Sequence, residues 1–481
     1  MIMRGERLNV IRCADPYTKL LMASYNLVGR YNTFNRCPVS CYLTQATVQM
    51  LSDAVVTPAC PLVNEMPKSR ESHHQILSDI NSWCDSEPQP VFSRYSSKPL
   101  TIGCPTMQLT PQTMYVVTVG VIVVFVIVAW YYRRNKHNHP ELYYLDSDLH
   151  RHIIETKPGF TSPYRPPFWL QNNHVHTFIA ALIPKVKMYF KREYINLDDD
   201  GAVALDWAQD QLDSLTDTSP ILIVLPSLSA CADDMAELCN TASKRGYRVV
   251  VFNKRGHGDS VLATPKLQGF GDAKDMRRCV EYLRDKYPEA KIVAAGSSAG
   301  SCLLMSYLSE YGADCLLATG VCICPGYDAL DVFTKPMNNV YEFILLSSLK
   351  KILKKHAKML SQLIDMRAAT RATNFRDFDK QVYCKFYGYE DSLEYWKCQN
   401  PMRNILNISV PVMCITSLDD PIFMAKYIPF NMFRETSDWL LVTTNKGGHC
   451  GFIEESTLKP WSDRLALDYV DAVLEFQGAP K

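Results

Sequence analysis

The pentapeptide Gly296-Ser297-Ser298-Ala299-Gly300 places one serine between two glycines at the spacing that nucleophilic catalysis requires. A hydroxyl is a weak nucleophile at neutral pH. A chain that attacks esters with serine must therefore expose the hydroxyl, supply a base and stabilise the oxyanion that forms. The run Lys291-Ile292-Val293-Ala294-Ala295 reads as a strand leading straight into Gly296, and Ser301-Cys302-Leu303-Leu304 reads as the start of a helix. On such a strand-turn-helix the nucleophile occupies a strained turn, and side chains at the two glycine positions would collide with neighbouring backbone. A bare G-x-S-x-G recurs by chance; this context makes it specific. Ser297 and Ser301 compete for the role, but only Ser298 has the central register.

The base is expected near the end of the chain, after the last strand, and the acid that orients it is expected between nucleophile and base. His449, in Asn445-Lys446-Gly447-Gly448-His449-Cys450-Gly451-Phe452, follows a strand ending at Thr443 and is the sole histidine after His356. Its competing reading is a structural loop histidine. Two carboxylates, Asp419 and Asp420, end the strand from Pro411 to Thr416, where catalytic groups of parallel sheets gather. Asp420, next to Pro421, is favoured over Asp419; a turn-capping aspartate is the alternative for either. The oxyanion falls to backbone N–H groups, with Ala299 after the nucleophile and Leu228 in the loop Pro226-Ser227-Leu228-Ser229-Ala230 as the candidate donors. No metal or organic cofactor is implied. The 17 cysteines are scattered without zinc spacing.

The elements that must position these groups are short apolar runs alternating with helical stretches. Ile221 to Leu225, Arg248 to Phe252, Lys291 to Ala295, Pro411 to Thr416 and Trp439 to Thr443 read as strands. Asp233 to Arg245 and Asp272 to Tyr287 read as helices. This pattern predicts an α/β fold around a doubly wound, largely parallel sheet. From Tyr327 to about Asn400 the chain turns to helical patterning, the place for a lid over an acyl pocket. There Leu346, Leu349, Leu353, Leu360 and Leu363 recur at helical spacing across Lys350, Lys351, Lys354, Lys355 and Lys358. Such a helix either lies on anionic headgroups or packs its leucines inward and solvates its lysines.

In 481 residues the 51 basic and 50 acidic side chains nearly cancel, which removes a whole-chain electrostatic case for nucleic acid. The run from Met114 to Tyr132, MYVVTVGVIVVFVIVAWYY, carries no charge and approaches the roughly 20 apolar residues of a membrane-spanning helix. Tyr115, Trp130, Tyr131 and Tyr132 resemble interfacial anchors. Arg133, Arg134 and Lys136 follow, whereas the nearest upstream basic residue is Lys98, so the residues after the span are expected in the cytosol. Residues 1–113 form an N-terminal extension without periodicity, expected to be poorly ordered. Prolines at 140, 158, 163, 166 and 167 predict an irregular linker over 133–167. Asn407-Ile408-Ser409 fits a glycosylation acceptor, relevant only if the orientation is reversed.

With these residues in place, the chain resembles the membrane-anchored α/β-hydrolase-domain lipases of animals, related to YheT-like hydrolases. The resemblance runs from about Pro140 to the C-terminus. It is carried by Trp169-x-x-x-x-His174-x-His176-Thr177, Val251-Phe252-Asn253-x-Arg255-Gly256, Cys324-Pro325-Gly326-Tyr327, Asp419-Asp420-Pro421 and Gly447-Gly448-His449-x-Gly451-Phe452. It implies an α/β-hydrolase fold over residues 168–475 with a helical cap at about 328–400, preceded by a single transmembrane helix at 114–132. It also implies a Ser298, Asp420 and His449 triad acting on phospholipid or acylglycerol esters, so the expected partners are a lipid substrate and the bilayer. Ser297, Ser301 and the Pro226-Ser227 start of the oxyanion loop depart from the family pattern. They keep open a weakened hydrolase that serves as a lipid-binding scaffold. An acyltransferase is the other alternative, although the His74 to Asp79 match to its motif lies ahead of the membrane run.

Overall fold

Buried β-branched runs build the centre of the molecule. The computed structural model describes residues 110, 116, 118–123, 125–126, 139–210 and 212–478. Nine strands form one sheet in the order β1-β9-β8-β7-β6-β4-β5-β3-β2. They are β1 (Glu141–Tyr144), β2 (Phe190–Asn196), β3 (Ala202–Ala208), β4 (Ile221–Leu225), β5 (Arg248–Asn253), β6 (Ile292–Ser297), β7 (Thr319–Ile323), β8 (Val412–Ser417) and β9 (Trp439–Thr444). The strands from β5 across to β9 pair in parallel, and β1, β2 and β3 add antiparallel edges. Every residue of β4 and β7 is buried, as a parallel sheet covered on both faces demands.

Alternate residues of each strand serve opposite faces. Leu222, Val224, Val249 and Val251 pack with α1 (Asp148–Thr156), α3 (Ala236–Lys244) and the C-terminal α14 (Trp461–Gly478). Ile221, Ile223, Val250 and Phe252 pack with α4 (Lys274–Lys286) and α5 (Ala299–Tyr311). Each fully buried Val, Leu or Ile contributes roughly 1.5–3 kcal/mol over exposure, so the alternation of these side chains fixes which residues face each helical layer. α2 (Asn173–Leu182) precedes β2.

Between β7 and β8 the chain forms α6 (Ala329–Thr334), α7 (Asn339–Lys355), α8 (Ala357–Leu360), α9 (Met366–Arg371), α10 (Phe375–Gln381), α11 (Tyr383–Tyr387) and α12 (Ser392–Gln399). These helices enclose their own apolar cluster, which includes Leu346, Leu349, Leu353 and Leu360. The leucine row therefore faces inward, with Lys351, Lys354, Lys355 and Lys358 exposed; only Leu363 of that row is outside. Of the two readings open for this row, the one with leucines packed inward and lysines solvated is the one observed. Helix α13 (Phe430–Glu435) lies between β8 and β9.

One expectation changes, and another falls largely outside the described residues. The supposed irregular linker contains β1 and α1: Leu142, Tyr143 and Tyr144 are good strand formers, and the Ser147 side chain caps α1 by accepting from His150 N. Its prolines flank these elements without interrupting them. The expected transmembrane helix is not found among the described residues, where no helix is long and apolar enough to cross a membrane. Of that run only residues 116, 118–123 and 125–126 are described. They are helical with exposed side chains, and the rest of the run lies outside the described residues. Residues 1–109, with His74 and Asp79, lie outside the described residues.

Candidate active site

The end of β6 and the start of α5 set the first group. β6 ends at Ser297 and α5 begins at Ala299, two residues earlier than the sequence suggested. Ser298 between them is held at φ 52°, ψ −117°, a conformation a side chain adopts only when its surroundings enforce it. Its N–H donates to Ile323 O at 2.8 Å. The flanking glycines are obligatory here. A Cβ at Gly300 would stand 2.0 Å from Leu225 O, and one at Gly296 2.5 Å from Gly300 O.

His449 and Asp420 arrive from the loops after β9 and β8. His449 Nε2 lies 2.7 Å from Ser298 Oγ, and His449 Nδ1 lies 2.7 Å from Asp420 Oδ2. The second carboxylate oxygen of Asp420 accepts from Ile422 N and Phe423 N at 2.8 and 2.9 Å. Burial of the imidazole acts to lower its pKa, but the charge of Asp420, then that of Cys450, and the hydrogen bonds to both outweigh it and leave His449 well above the ordinary histidine value. The Phe423 ring meets the imidazole edge to face at 5.4 Å.

Asp419 takes a different part. Its Oδ1 accepts from Gly448 N at 2.9 Å and from the Ser417 hydroxyl, and Lys446 Nζ lies 3.6 Å from its Oδ2. It ties the histidine loop to β8 and does not reach the imidazole.

Helix α2 completes the support. Thr177 Oγ1 accepts from His449 N at 2.9 Å and donates to Asn173 O at 2.8 Å, while Asn173 Nδ2 donates to Asp419 O at 2.8 Å. Gly448, at φ 59°, lets the loop approach: a Cβ there would stand 2.7 Å from Thr177 Oγ1. His176 is buried and its Nε2 accepts from Ile453 N at 3.0 Å, and His174 Nδ1 pairs with the Tyr341 hydroxyl at 2.8 Å. Sequence reading singled out the run from Trp169 to Thr177 without giving it a role; its polar residues at helical spacing were the available signal.

Ala299 is the first residue of α5, so its N–H has no acceptor within the helix. Ala299 and Leu228 line one narrow cavity of about 30 Å³, together with Lys254, Phe270, Phe333 and Trp396. The Lys254 ammonium donates to Ser227 O at 3.0 Å and Leu228 O at 3.3 Å, fixing this loop from below. The Ser227 and Ser297 hydroxyls lie 3.4 Å apart, so two of the departures from the family pattern touch each other. Cys324, His449 and Cys450 place potential metal-binding atoms within 4.8 Å, but both imidazole nitrogens already engage Ser298 and Asp420. Among the described residues the cysteines are free thiols.

A parallel sheet, a strained serine at the β6–α5 turn and a histidine loop after the last strand define the class of α/β-hydrolase-fold proteins. A family model described as the alpha/beta hydrolase fold matches residues 220–456. The chain is 31% identical over 324 residues to Protein ABHD15 of Homo sapiens, covering 65% of this chain and 69% of that protein. It is 27% identical over 365 residues to Phospholipase ABHD3 of Homo sapiens, covering 73% and 88%. To Monoacylglycerol lipase ABHD2 of Mus musculus it is 26% identical over 384 residues, covering 74% and 90%. The chain belongs to the alpha/beta hydrolase family, with lipase and phospholipase relatives of the ABHD type.

Proposed function

We propose that this protein is a serine hydrolase that cleaves acyl ester bonds of membrane lipids, phospholipid or acylglycerol, through an acyl-enzyme. The observation that carries the reading is the hydrogen-bonded chain from Ser298 Oγ through His449 to Asp420, each link 2.7 Å. The names of the relatives, a phospholipase and a monoacylglycerol lipase, support the lipid substrate class.

In this mechanism Ser298 Oγ attacks the ester carbonyl while His449 Nε2 takes its proton. Asp420 holds the imidazole tautomer and stabilises the imidazolium. The carbonyl oxygen becomes an oxyanion that accepts from the N–H groups of Ala299 and Leu228. The intermediate collapses, His449 returns the proton to the departing alcohol, and Ser298 carries the acyl group. Water, deprotonated by His449, then attacks the acyl-enzyme and releases the fatty acid with Ser298 restored. No step asks for a metal or organic cofactor. Helices α6 to α12 would cap the acyl pocket, and the uncharged run from Met114 to Tyr132 would tether the domain to a bilayer on its cytosolic side.

The test is release of fatty acid from a monoacylglycerol and a phospholipid by the full chain, compared with Ser298→Ala. Hydrolysis by the wild type and its loss by at least ~10³-fold in the variant are expected. An unchanged rate in Ser298→Ala would overturn the reading.

A further inference from the structure

Lys254 fills the variable position of Asn253-x-Arg255-Gly256, and nothing in the mechanism above uses its charge. It follows the last residue of β5 and is 8% exposed. Its hydrogen-bond acceptors, the Ser227 and Leu228 carbonyls, are neutral, and among the described residues it forms no ion pair. Burial lowers its pKa to about 8, which leaves the ammonium charged at neutral pH. The groups around it do not neutralise it. Asp379 lines the same cavity, accepts from Trp396 Nε1 at 2.7 Å, and is pushed by burial up to about 8, so it is largely uncharged at neutral pH. His257 is lowered by burial to about 3 and is neutral, and burial raises the Cys302 thiol to about 12. Tyr383 and Tyr395 also line the wall, and burial raises both above the ordinary tyrosine value.

A desolvated cation without a counter-charge is costly, and a ligand that brings an anion offsets that cost. Most of the remaining wall is apolar, with Phe270, Phe333, Leu349, Phe375 and Trp396, which suits an acyl chain, and the buried Gln268 is its polar exception. Ala299 and Leu228 bound the cavity beside Ser298, so an anion held by Lys254 belongs to a substrate whose charge lies close to its ester.

We propose that Lys254 is an anion-recognising residue of this site, selecting acyl esters that carry a phosphate or carboxylate within a few bonds of the scissile carbonyl. This rests on the hydrolase reading and narrows its substrate class. Two sources share the chemistry: a phosphate on the alcohol side, as in a lysophosphatidate, and a carboxylate on the acyl side, as in a dicarboxylic half-ester.

The experiment compares kcat/KM of the full chain on 1-acyl lysophosphatidate against 1-monoacylglycerol of the same chain length, and on monoglyceryl glutarate against monoglyceryl pentanoate. At least one charged ester is expected to exceed its neutral partner by about tenfold, and Lys254→Met is expected to bring that ratio to near unity. Lys254→Arg should keep the preference. A second measurement needs no variant: if the wild type prefers glutarate over pentanoate, that ratio should fall as pH rises through about 8, where the ammonium loses its proton while the carboxylate keeps its charge. Cleavage of all four esters without charge preference, or a preference unchanged in Lys254→Met, overturns this inference and leaves the hydrolase reading intact. Absence of cleavage on every ester overturns both.

Discussion

His449 Nε2 stands 2.7 Å from Ser298 Oγ although 151 positions separate the two residues in the chain. Six parallel strands bring them together, because β6 delivers the serine and β9 the histidine at the same edge of the sheet. Catalysis by such a pair depends on what holds each partner, and each support can be tested.

The two aspartates separate orientation from scaffolding. Asp420→Asn should lower kcat by about 10⁴-fold, because the imidazole loses the charge that fixes its tautomer. Asp419→Asn should cost far less in kcat and appear chiefly as reduced thermal stability. The wild-type acid limb of kcat/KM should lie above the ordinary histidine pKa, since Asp420 raises His449 and the base works only when neutral. Residual activity of Asp420→Asn should show that limb displaced to lower pH.

Gly300 and Gly388 offer a matched contrast. Gly300→Ala places a methyl 2.0 Å from Leu225 O, and unfolding in urea should reveal a loss of more than ~4 kcal/mol, or no folded protein. Gly388 has φ 74° but nothing within 4 Å of an added Cβ, so alanine there should cost only about 1 kcal/mol.

Thr177 is the support from α2. Thr177→Val keeps the shape but leaves the His449 N–H without its acceptor, and should cost about 1–3 kcal/mol of stability. A misplaced imidazole should also lower kcat by about tenfold or more with KM little changed, and Thr177→Ser should restore it. Equal activity in Thr177→Val would remove Thr177 from the positioning set.

Asp379 predicts a pH-dependent stability. Its folded pKa is raised by burial from 3.8 to about 8, so between those values the folded state holds a proton that the unfolded state has released. Stability from this group is full below the unfolded value and falls as pH rises toward about 8, by at most ~1.4 kcal/mol per pH unit. Asp379→Asn should flatten that slope, measured as Tm from pH 5 to pH 8 in wild type and variant. Parallel curves would contradict it.

The parallel core was legible because β4, β5, β6, β8 and β9 are apolar on both faces and read as unbroken runs. β7, Thr-Gly-Val-Cys-Ile, escaped notice because Gly320 and Cys322 break the β-branched signal. β2, Phe-Lys-Arg-Glu-Tyr-Ile-Asn, escaped because an edge strand is half exposed and its charges hide the alternation. Ser298, Asp420 and His449 were legible from local context: a glycine-flanked turn, a strand end before proline, a glycine-rich loop. Thr177, Asn173 and Lys254 were not, since their significance lies in contacts with residues distant in sequence. The inward leucine row of α7 was ambiguous for a physical reason. Periodicity reveals an apolar face but not what covers it.

The central claim is that Ser298 is the nucleophile, and mapping the adduct of a fluorophosphonate probe by peptide mass spectrometry tests it most directly. The account predicts a single modification on Ser298 that is absent in Ser298→Ala and greatly slowed in His449→Gln. Modification of Ser297 or Ser301 in its place, or no labelling of the folded wild-type chain, would contradict it.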